Sequence, residues 1–118
     1  MNRHEKINYV EYAARDLAKT KDFFSKAFGW TFTDFGDEYT AFDNQGLDGG
    51  FYKADLNADA AKGSALIVFY SDDLNATLNK IKQAGGIIVQ DIFSFPGGQR
   101  FHFTEPSGNE FAVWSDKK

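Results

Sequence analysis

The chain has 118 residues, thirteen of them Phe and none of them Cys, and its formal net charge is −4. Its length and a hydrophobic content of 42% predict one packed domain, and the lack of Cys excludes disulfides, thiolate metal sites and cysteine nucleophiles. The negative charge argues against a nucleic-acid partner, because counterion release requires clustered Lys and Arg.

The first residues, 1–6, are polar and lead directly into a strand-like run. They lack the apolar core of a secretory signal peptide, and no later stretch is long and apolar enough to span a bilayer. We therefore expect a cytoplasmic protein without a membrane partner.

An internal repeat organises the chain. Residues 12–17 (YAARDL) match residues 69–74 (FYSDDL), with an offset of 57 residues from Asp16 to Asp73. In both copies a strand-like run ends at an Asp that precedes a helical pattern. We expect both carboxylates to cap a helix by accepting hydrogen bonds from its free amide groups.

Two apolar stripes with helical spacing follow the predicted caps. Their residues are Leu17, Phe24, Ala27 and Phe28 in the first copy and Leu74, Leu78, Ile81 and Ala84 in the second. Gly29 and Gly85 then suit the left-handed position after a helix. Runs typical of strands complete each copy, at residues 30–35, 38–43, 49–53, 86–92, 99–104 and 109–114.

Each copy is thus predicted as strand, helix, strand, strand, strand. We expect a single domain over residues 1–118, with module one at about 6–53, a connector at 54–64 and module two at 65–115. Two such α+β modules bury their apolar sheet faces by curling into a cupped, barrel-like mixed sheet with the helices outside. The inside of the cup is the expected pocket.

Several short segments resemble the vicinal oxygen chelate superfamily, which includes glyoxalases, bleomycin resistance proteins and dioxygenases. They are residues 16–17, 28–30, 84–86 and the turn at 105–109 (EPSGN), which is similar to the family's Asp-Pro-x-Gly-Asn turn with Glu105 in place of Asp. The resemblance covers nearly the whole chain. It implies a glyoxalase-like fold and a homodimer.

Many members of this family hold a divalent metal through four side chains, one from the first and one from the last strand of each module. The resemblance assigns these positions to Tyr9, Tyr52, Leu66 and Ala112. Leu66 and Ala112 have no donor atom, and a phenol loses its proton only near pH ~10. We therefore expect no metal and no other cofactor.

Side chains alternate across a strand, which predicts the residues that line the cup. They are Tyr9, Glu11, Tyr52, Leu66, Val68, Tyr70, Arg100, His102, Glu110, Ala112 and Trp114. Phe101, Phe103, Phe111 and Val113 are expected under the helices. Because an unpaired carboxylate in an apolar strand is costly, we also expect Glu11 to pair with Arg100 across the cup.

Three functions remain open at this point. The leading hypothesis is a metal-independent protein that binds a small organic molecule in an aromatic cup. The alternative is a lyase, isomerase or dioxygenase-type enzyme in which Glu11, His102 and Glu110 act as acid-base groups or as atypical metal ligands. The third is a structural or dimerising module, which a cup filled by its own aromatic side chains would favour.

Overall fold

A computed structural model describes residues 2–117 of the chain. Its strands and α-helices, in chain order, are β1 (Tyr9–Ala14), α1 (Leu17–Phe28), β2 (Phe32–Asp34), β3 (Tyr39–Phe42), β4 (Asp48–Lys53), β5 (Ile67–Tyr70), α2 (Leu74–Gln83), β6 (Ile87–Phe95), β7 (Gly98–Thr104) and β8 (Glu110–Ser115). A 3-10 helix, Ala60–Lys62, lies between the two halves. Neither α-helix is long and apolar enough to cross a membrane.

The strands form two four-stranded mixed sheets with the same topology. Sheet one has the order β1-β4-β3-β2 and sheet two the order β5-β8-β7-β6. In each sheet the first and last strands of the module are parallel neighbours, and the other pairs are antiparallel. The predicted α+β fold of two βαβββ modules with a cupped sheet is confirmed.

Both helices begin as the sequence predicts. The Asp16 carboxylate accepts a hydrogen bond of 3.0 Å from the Lys19 amide, and the Asp73 carboxylate accepts one of 3.1 Å from the Ala76 amide. Helix α1 ends at Gly29, whose φ of 73° is left-handed, a conformation that glycine adopts without steric cost. The repeated Asp therefore marks helix caps.

One aromatic core joins the two modules on the helix side of the sheets. The Phe23 ring packs 5.8 Å from the Phe103 ring, and the Phe24 ring packs 5.4 Å from the Phe111 ring. Helix α1 of module one thus covers strands β7 and β8 of module two. The side chains predicted to lie under the helices, Phe101, Phe103, Phe111 and Val113, are buried.

Two strands differ from the predicted limits by more than one residue at an end. Strand β2 is shorter than the predicted 30–35, because Trp30 leaves the strand to stack on Phe24 at 4.5 Å and is buried there. Strand β6 is longer than predicted and has irregular pairing with β7 between Ile88 and Phe93. Tertiary packing, which short-range patterns do not report, decides both limits.

The turn at residues 105–109 fastens module two to module one. The buried carboxylate of Glu105 accepts hydrogen bonds from the Thr20 hydroxyl group at 2.6 Å and from the amides of Ser107 and Asn109. The Asn109 side chain donates to the Ala13 carbonyl at 2.7 Å and to Glu105 at 2.8 Å. The motif that carries the family resemblance therefore has a structural role here.

Candidate functional site

A cavity of about 350 Å³ lies where the inner edge strands of the two sheets meet. No backbone hydrogen bond joins β1 to β5 in the described part of the chain, so the sheets leave space between their edges. The cavity, called here the junction cavity, is lined by Val10, Tyr12, Trp30, Phe42, Gln45, Gly46, Leu47, Phe51, Ile67, Val68, Phe69, Tyr70 and Phe111. Its wall is mostly aromatic and aliphatic, which suits an apolar ligand.

Tyr12 lines this apolar wall and has a buried hydroxyl group. The Tyr12 side chain is buried, with the residue 6% exposed, and no described atom completes a hydrogen bond with its hydroxyl group. Burial raises the pKa of Tyr12 above the usual range, and the nearby backbone of Ile67 opposes part of that rise. The hydroxyl oxygen has almost no accessible surface, so Tyr12 contributes to the cavity wall through its ring.

A chain of hydroxyl groups crosses the open face of sheet one, the face turned away from the helices. Tyr39 donates to the Glu11 carboxylate at 2.8 Å, and its oxygen lies 2.6 Å from the Tyr9 hydroxyl oxygen. Since Tyr39 uses its proton on Glu11, Tyr9 is the donor to Tyr39. Burial raises the pKa of Tyr39 above the usual range, and the bonds to Tyr9 and Glu11 raise it further.

Gly50 makes this chain possible. It lies on β4 between Glu11 on β1 and Ala41 on β3, so the Tyr39 ring must pass over it to reach Glu11. A Cβ atom at position 50 would lie 2.5 Å from Tyr39 Cζ and 2.9 Å from the Thr40 carbonyl oxygen. Glycine at position 50 therefore allows the Tyr39 ring to pack closely over β4.

A second cavity of about 340 Å³ adjoins β1 and the connector. This side cavity is lined by Val10, Glu11, Tyr12, Ala13, Tyr52, Leu56, Asn57, Ala58, Ser64 and Ala65. The side cavity and the junction cavity share Val10 and Tyr12 in their walls, so they are neighbours along β1.

On the open face of sheet two, His102 joins Glu110 and Arg100. His102 Nδ1 lies 2.8 Å from Glu110 Oε2, and His102 Nε2 lies 3.1 Å from Arg100 Nη2. Arginine only donates, so Nε2 accepts and Nδ1 carries the proton that it donates to Glu110. The other Glu110 oxygen accepts from the Ala60 amide at 3.0 Å, which ties the connector to this cluster.

Aromatic side chains fill the rest of that face. The Arg100 guanidinium lies about 6 Å from the ring centres of Phe93 and Phe95, which is a cation-π distance. The Trp114 ring contacts Tyr70 at 5.2 Å and Phe95 at 6.3 Å between ring centres. The face of sheet two is thus occupied by its own side chains.

The Tyr70 hydroxyl group also bonds to Asp116 at the end of the chain. This hydrogen bond, with burial, raises the pKa of Tyr70 to about 12. The same bond holds the pKa of the Asp116 carboxyl group below its usual value.

The predicted cup residues separate into three places. Tyr9, Glu11 and Tyr52 lie on sheet one, Val68 and Tyr70 line the junction cavity, and Arg100, His102, Glu110, Ala112 and Trp114 belong to sheet two. Leu66 lies one residue before β5 and is half-buried.

The predicted pair of Glu11 and Arg100 is wrong. No ion pair within residues 2–117 joins them, since Glu11 bonds to Tyr39 and Arg100 contacts His102. The physical reason is that the exposed Glu11 finds a neutral donor on its own sheet. A carboxylate that keeps contact with water does not require a buried cation.

The metal positions implied by the resemblance carry a poor donor set. Ala112 is fully buried opposite His102, and neither it nor Leu66 has a coordinating atom. Within residues 2–117, no three His, Asp or Glu side chains are close enough to hold a metal ion. Glu11, His102 and Glu110 therefore do not form such a group.

Sequence reasoning missed Tyr39, Val10 and Tyr12 as site residues. The predicted strand 38–43 includes Tyr39 without giving it a role, although a glycine at position 50, opposite Ala41, was a usable signal for a side chain crossing β4. Val10 and Tyr12 alternate with Tyr9 and Glu11 and were given no role, and Tyr12 is buried in the structure. The gap between β1 and β5 exposes their side of β1 to a cavity, and no sequence pattern reports such a gap.

The sequence of this chain matches the model of a known protein family. The model of the Glyoxalase/Bleomycin resistance protein/Dioxygenase superfamily matches residues 6–113. An anthracycline biosynthesis protein from Streptomyces peucetius is 27% identical over 124 residues, which cover 90% of this chain and 45% of that protein. The chain thus spans about half the length of that curated relative.

Solved structures share the fold at lower identity. A glyoxalase-related enzyme from Fulvimarina pelagi has a TM-score of 0.78 and 14% identity, covering 94% of this chain and 88% of that one. An antibiotic binding protein from a Streptomyces species has a TM-score of 0.68 and 17% identity, covering 98% of both chains. At these identities the likeness establishes the fold alone.

Proposed function

Because this chain belongs to the Glyoxalase/Bleomycin resistance protein/Dioxygenase superfamily, we propose that it binds a small organic molecule in the junction cavity without a metal ion. The observation that carries the proposal is a cavity of about 350 Å³ whose wall is mostly aromatic and aliphatic. An apolar cavity with few polar groups is the usual form of a small-molecule site.

The size of the cavity supports this function. A volume of about 350 Å³ is at the lower end of the range for ligand sites, which starts near ~300 Å³. The rings of Trp30, Phe42, Phe51, Phe69 and Phe111 favour a flat aromatic ligand, because offset and edge-to-face contacts add to burial.

The enzymatic alternative receives less support from the geometry. It requires Glu11, His102 and Glu110 to act together, whereas Glu11 bonds to Tyr39 and His102 contacts Arg100 and Glu110. The Nε2 atom of His102, the basic atom of its ring, already accepts from Arg100. A substrate would have to displace that contact before proton transfer.

A sequence relative and a structural neighbour also support the proposal that this chain binds a small molecule. A protein of the same fold is described as antibiotic binding, and a relative in sequence is described as an anthracycline biosynthesis protein. We propose that this chain shares small-molecule binding with the former.

We also propose a homodimer, because β2 is an outer edge strand with unpaired backbone groups beside the exposed Phe35.

Binding of a neutral aromatic probe, 2-(2-naphthyl)ethanol, tests the proposed function. We expect saturable one-to-one binding by calorimetry. Val68→Phe should weaken it at least tenfold by filling the cavity from an exposed position, whereas Val89→Phe, an exposed substitution outside the cavity, should leave it unchanged. Equal affinities of the two variants, or no saturable binding by the unsubstituted protein, would contradict the proposal.

A further inference from the structure

The Glu11 carboxylate is held in position by groups that have no other evident role. Tyr39 donates to it across β4, Tyr9 in turn donates to Tyr39, and Gly50 leaves the space that the Tyr39 ring occupies. Side chains fixed in this way by a surrounding shell are typical of binding sites. An exposed carboxylate with only a solvation role would not need such support.

Glu11 also lacks a cation. Of the Lys, Arg and His nitrogens in residues 2–117, none lies within 4.0 Å of its carboxylate oxygens. Its described protein partner is a neutral phenol. The positive charge that would complement it is therefore available from a ligand.

The surroundings of Glu11 suit an ammonium group. Glu11 lines the side cavity together with the exposed ring of Tyr52 and the side chain of Asn57. A carboxylate supplies charge, an aromatic face supplies a cation-π contact, and an amide oxygen supplies a further acceptor. A net charge of −4 adds a field that attracts cations.

The side cavity is next to the apolar one. Val10 and Tyr12 belong to the walls of both, so the two cavities are neighbours along β1. A ligand with its rings in the junction cavity reaches Glu11 only if a short amine-bearing arm passes round the unpaired outer edge of β1.

From this arrangement we infer that the ligand is an aromatic molecule bearing an ammonium group and that Glu11 is the residue that selects this charge. The inference rests on the proposed function, since it assigns a ligand class to the junction cavity and its neighbour. It predicts that the protein discriminates against neutral and anionic molecules of the same shape.

Three probes of one shape test the charge selection. They are 2-(2-naphthyl)ethylamine, 2-(2-naphthyl)ethanol and 3-(2-naphthyl)propanoate, which are cationic, neutral and anionic at pH 7. Calorimetry should show the amine binding about tenfold more tightly than the alcohol, the combined effect of an exposed ion pair and a cation-π contact. The carboxylate should bind most weakly.

Glu11→Gln should reduce the amine's advantage over the alcohol to less than twofold. The glutamine keeps an oxygen that accepts from Tyr39, so the fold and the Tyr39 position are preserved. Asp91→Asn is the matched control, because it removes one negative charge from exposed strand β6 and retains an acceptor for the Ile92 amide. It should keep the tenfold preference.

The outcomes separate the two proposals. Equal binding of amine and alcohol by the unsubstituted protein, or a preference that survives Glu11→Gln, would overturn the role of Glu11 and leave the junction cavity as a site for neutral ligands. Failure of all three probes to bind would contradict the proposed function itself, and the inference with it.

Discussion

The hydroxyl group of Tyr39 donates a hydrogen bond of 2.8 Å to the carboxylate of Glu11, although their strands are not neighbours. Strand β4 runs between them, and the Tyr39 ring crosses it at Gly50, where no side chain stands. Gly50, on the strand next to β1, therefore allows Glu11 on the edge strand to be held by a side chain from two strands away.

A methyl group at position 50 should break this contact. Gly50→Ala places a Cβ atom against the Tyr39 ring and should destabilise the protein by about 1 to 3 kcal/mol through overpacking. Tyr39→Leu should destabilise it less. The double variant should be more stable than the sum of the two single effects predicts, because the leucine relieves the clash. Additive free energies of unfolding in urea would contradict the crossing of Tyr39 over Gly50.

We expect the turn at 105–109 to be a main stabilising contact between the two modules. Glu105→Gln replaces one acceptor oxygen by an NH₂ group that faces the donors of Thr20, Ser107 or Asn109. We expect a loss of about 2 to 3 kcal/mol in the free energy of unfolding, since buried donors lose a charged acceptor. Glu38→Gln, at an exposed position, should change it by less than about 0.5 kcal/mol. A similar small loss for Glu105→Gln would mean that the turn does not hold the modules together.

The protonation pattern of His102 follows from its two contacts. Nε2 accepts from Arg100 and Nδ1 donates to Glu110, so the neutral ring should be the Nδ1-protonated tautomer. Long-range ¹H–¹⁵N correlation spectra distinguish the tautomers, and His4→Gln identifies the signals of the other histidine. Detection of the Nε2-protonated tautomer would contradict the contact with Arg100.

Alkaline titration should separate the tyrosines. Burial and hydrogen bonds raise the pKa of Tyr39, and burial raises that of Tyr12, so both should remain protonated when free phenols ionise near pH ~10. A raised folded-state pKa stabilises the fold fully below the unfolded value, and this contribution is lost as the pH rises through the folded value. Stability should therefore begin to fall above pH ~10.

Absorbance at 295 nm measures this titration. The folded protein should show incomplete ionisation at pH ~11, whereas the urea-unfolded chain should ionise all five tyrosines near pH ~10. Tyr39→Phe should remove amplitude from the late part of the folded curve. Loss of amplitude near pH ~10 instead would show that Tyr39 is not shielded.

The sequence predicted the fold well because its signals are local and repeated. The caps at Asp16 and Asp73 and the glycine after α1 depend on hydrogen bonds within a few residues, and they define both modules. Alternation also assigned Phe101 and Phe103 correctly to the core. These features follow from chain geometry rather than from long-range packing.

The site was harder to predict for a physical reason. Alternation gave the face of Glu11 but not its partner, because the choice between Arg100 and Tyr39 depends on how the sheets are placed relative to one another. The junction cavity arises where β1 and β5 do not pair, which is a property of module packing. The burial of His102 likewise depends on Phe93, brought over it by irregular β6.

The location of a bound ligand tests the central claim most directly. In methyl NMR spectra of protein labelled at Ala, Ile, Leu and Val, saturating 2-(2-naphthyl)ethanol should shift the signals of Val10, Leu47 and Ile67, which line the junction cavity. The signal of Ala112, which lies opposite His102 within sheet two, should shift much less. Large shifts of Ala112 with unchanged Val10, Leu47 and Ile67 would place the ligand over sheet two and contradict the account.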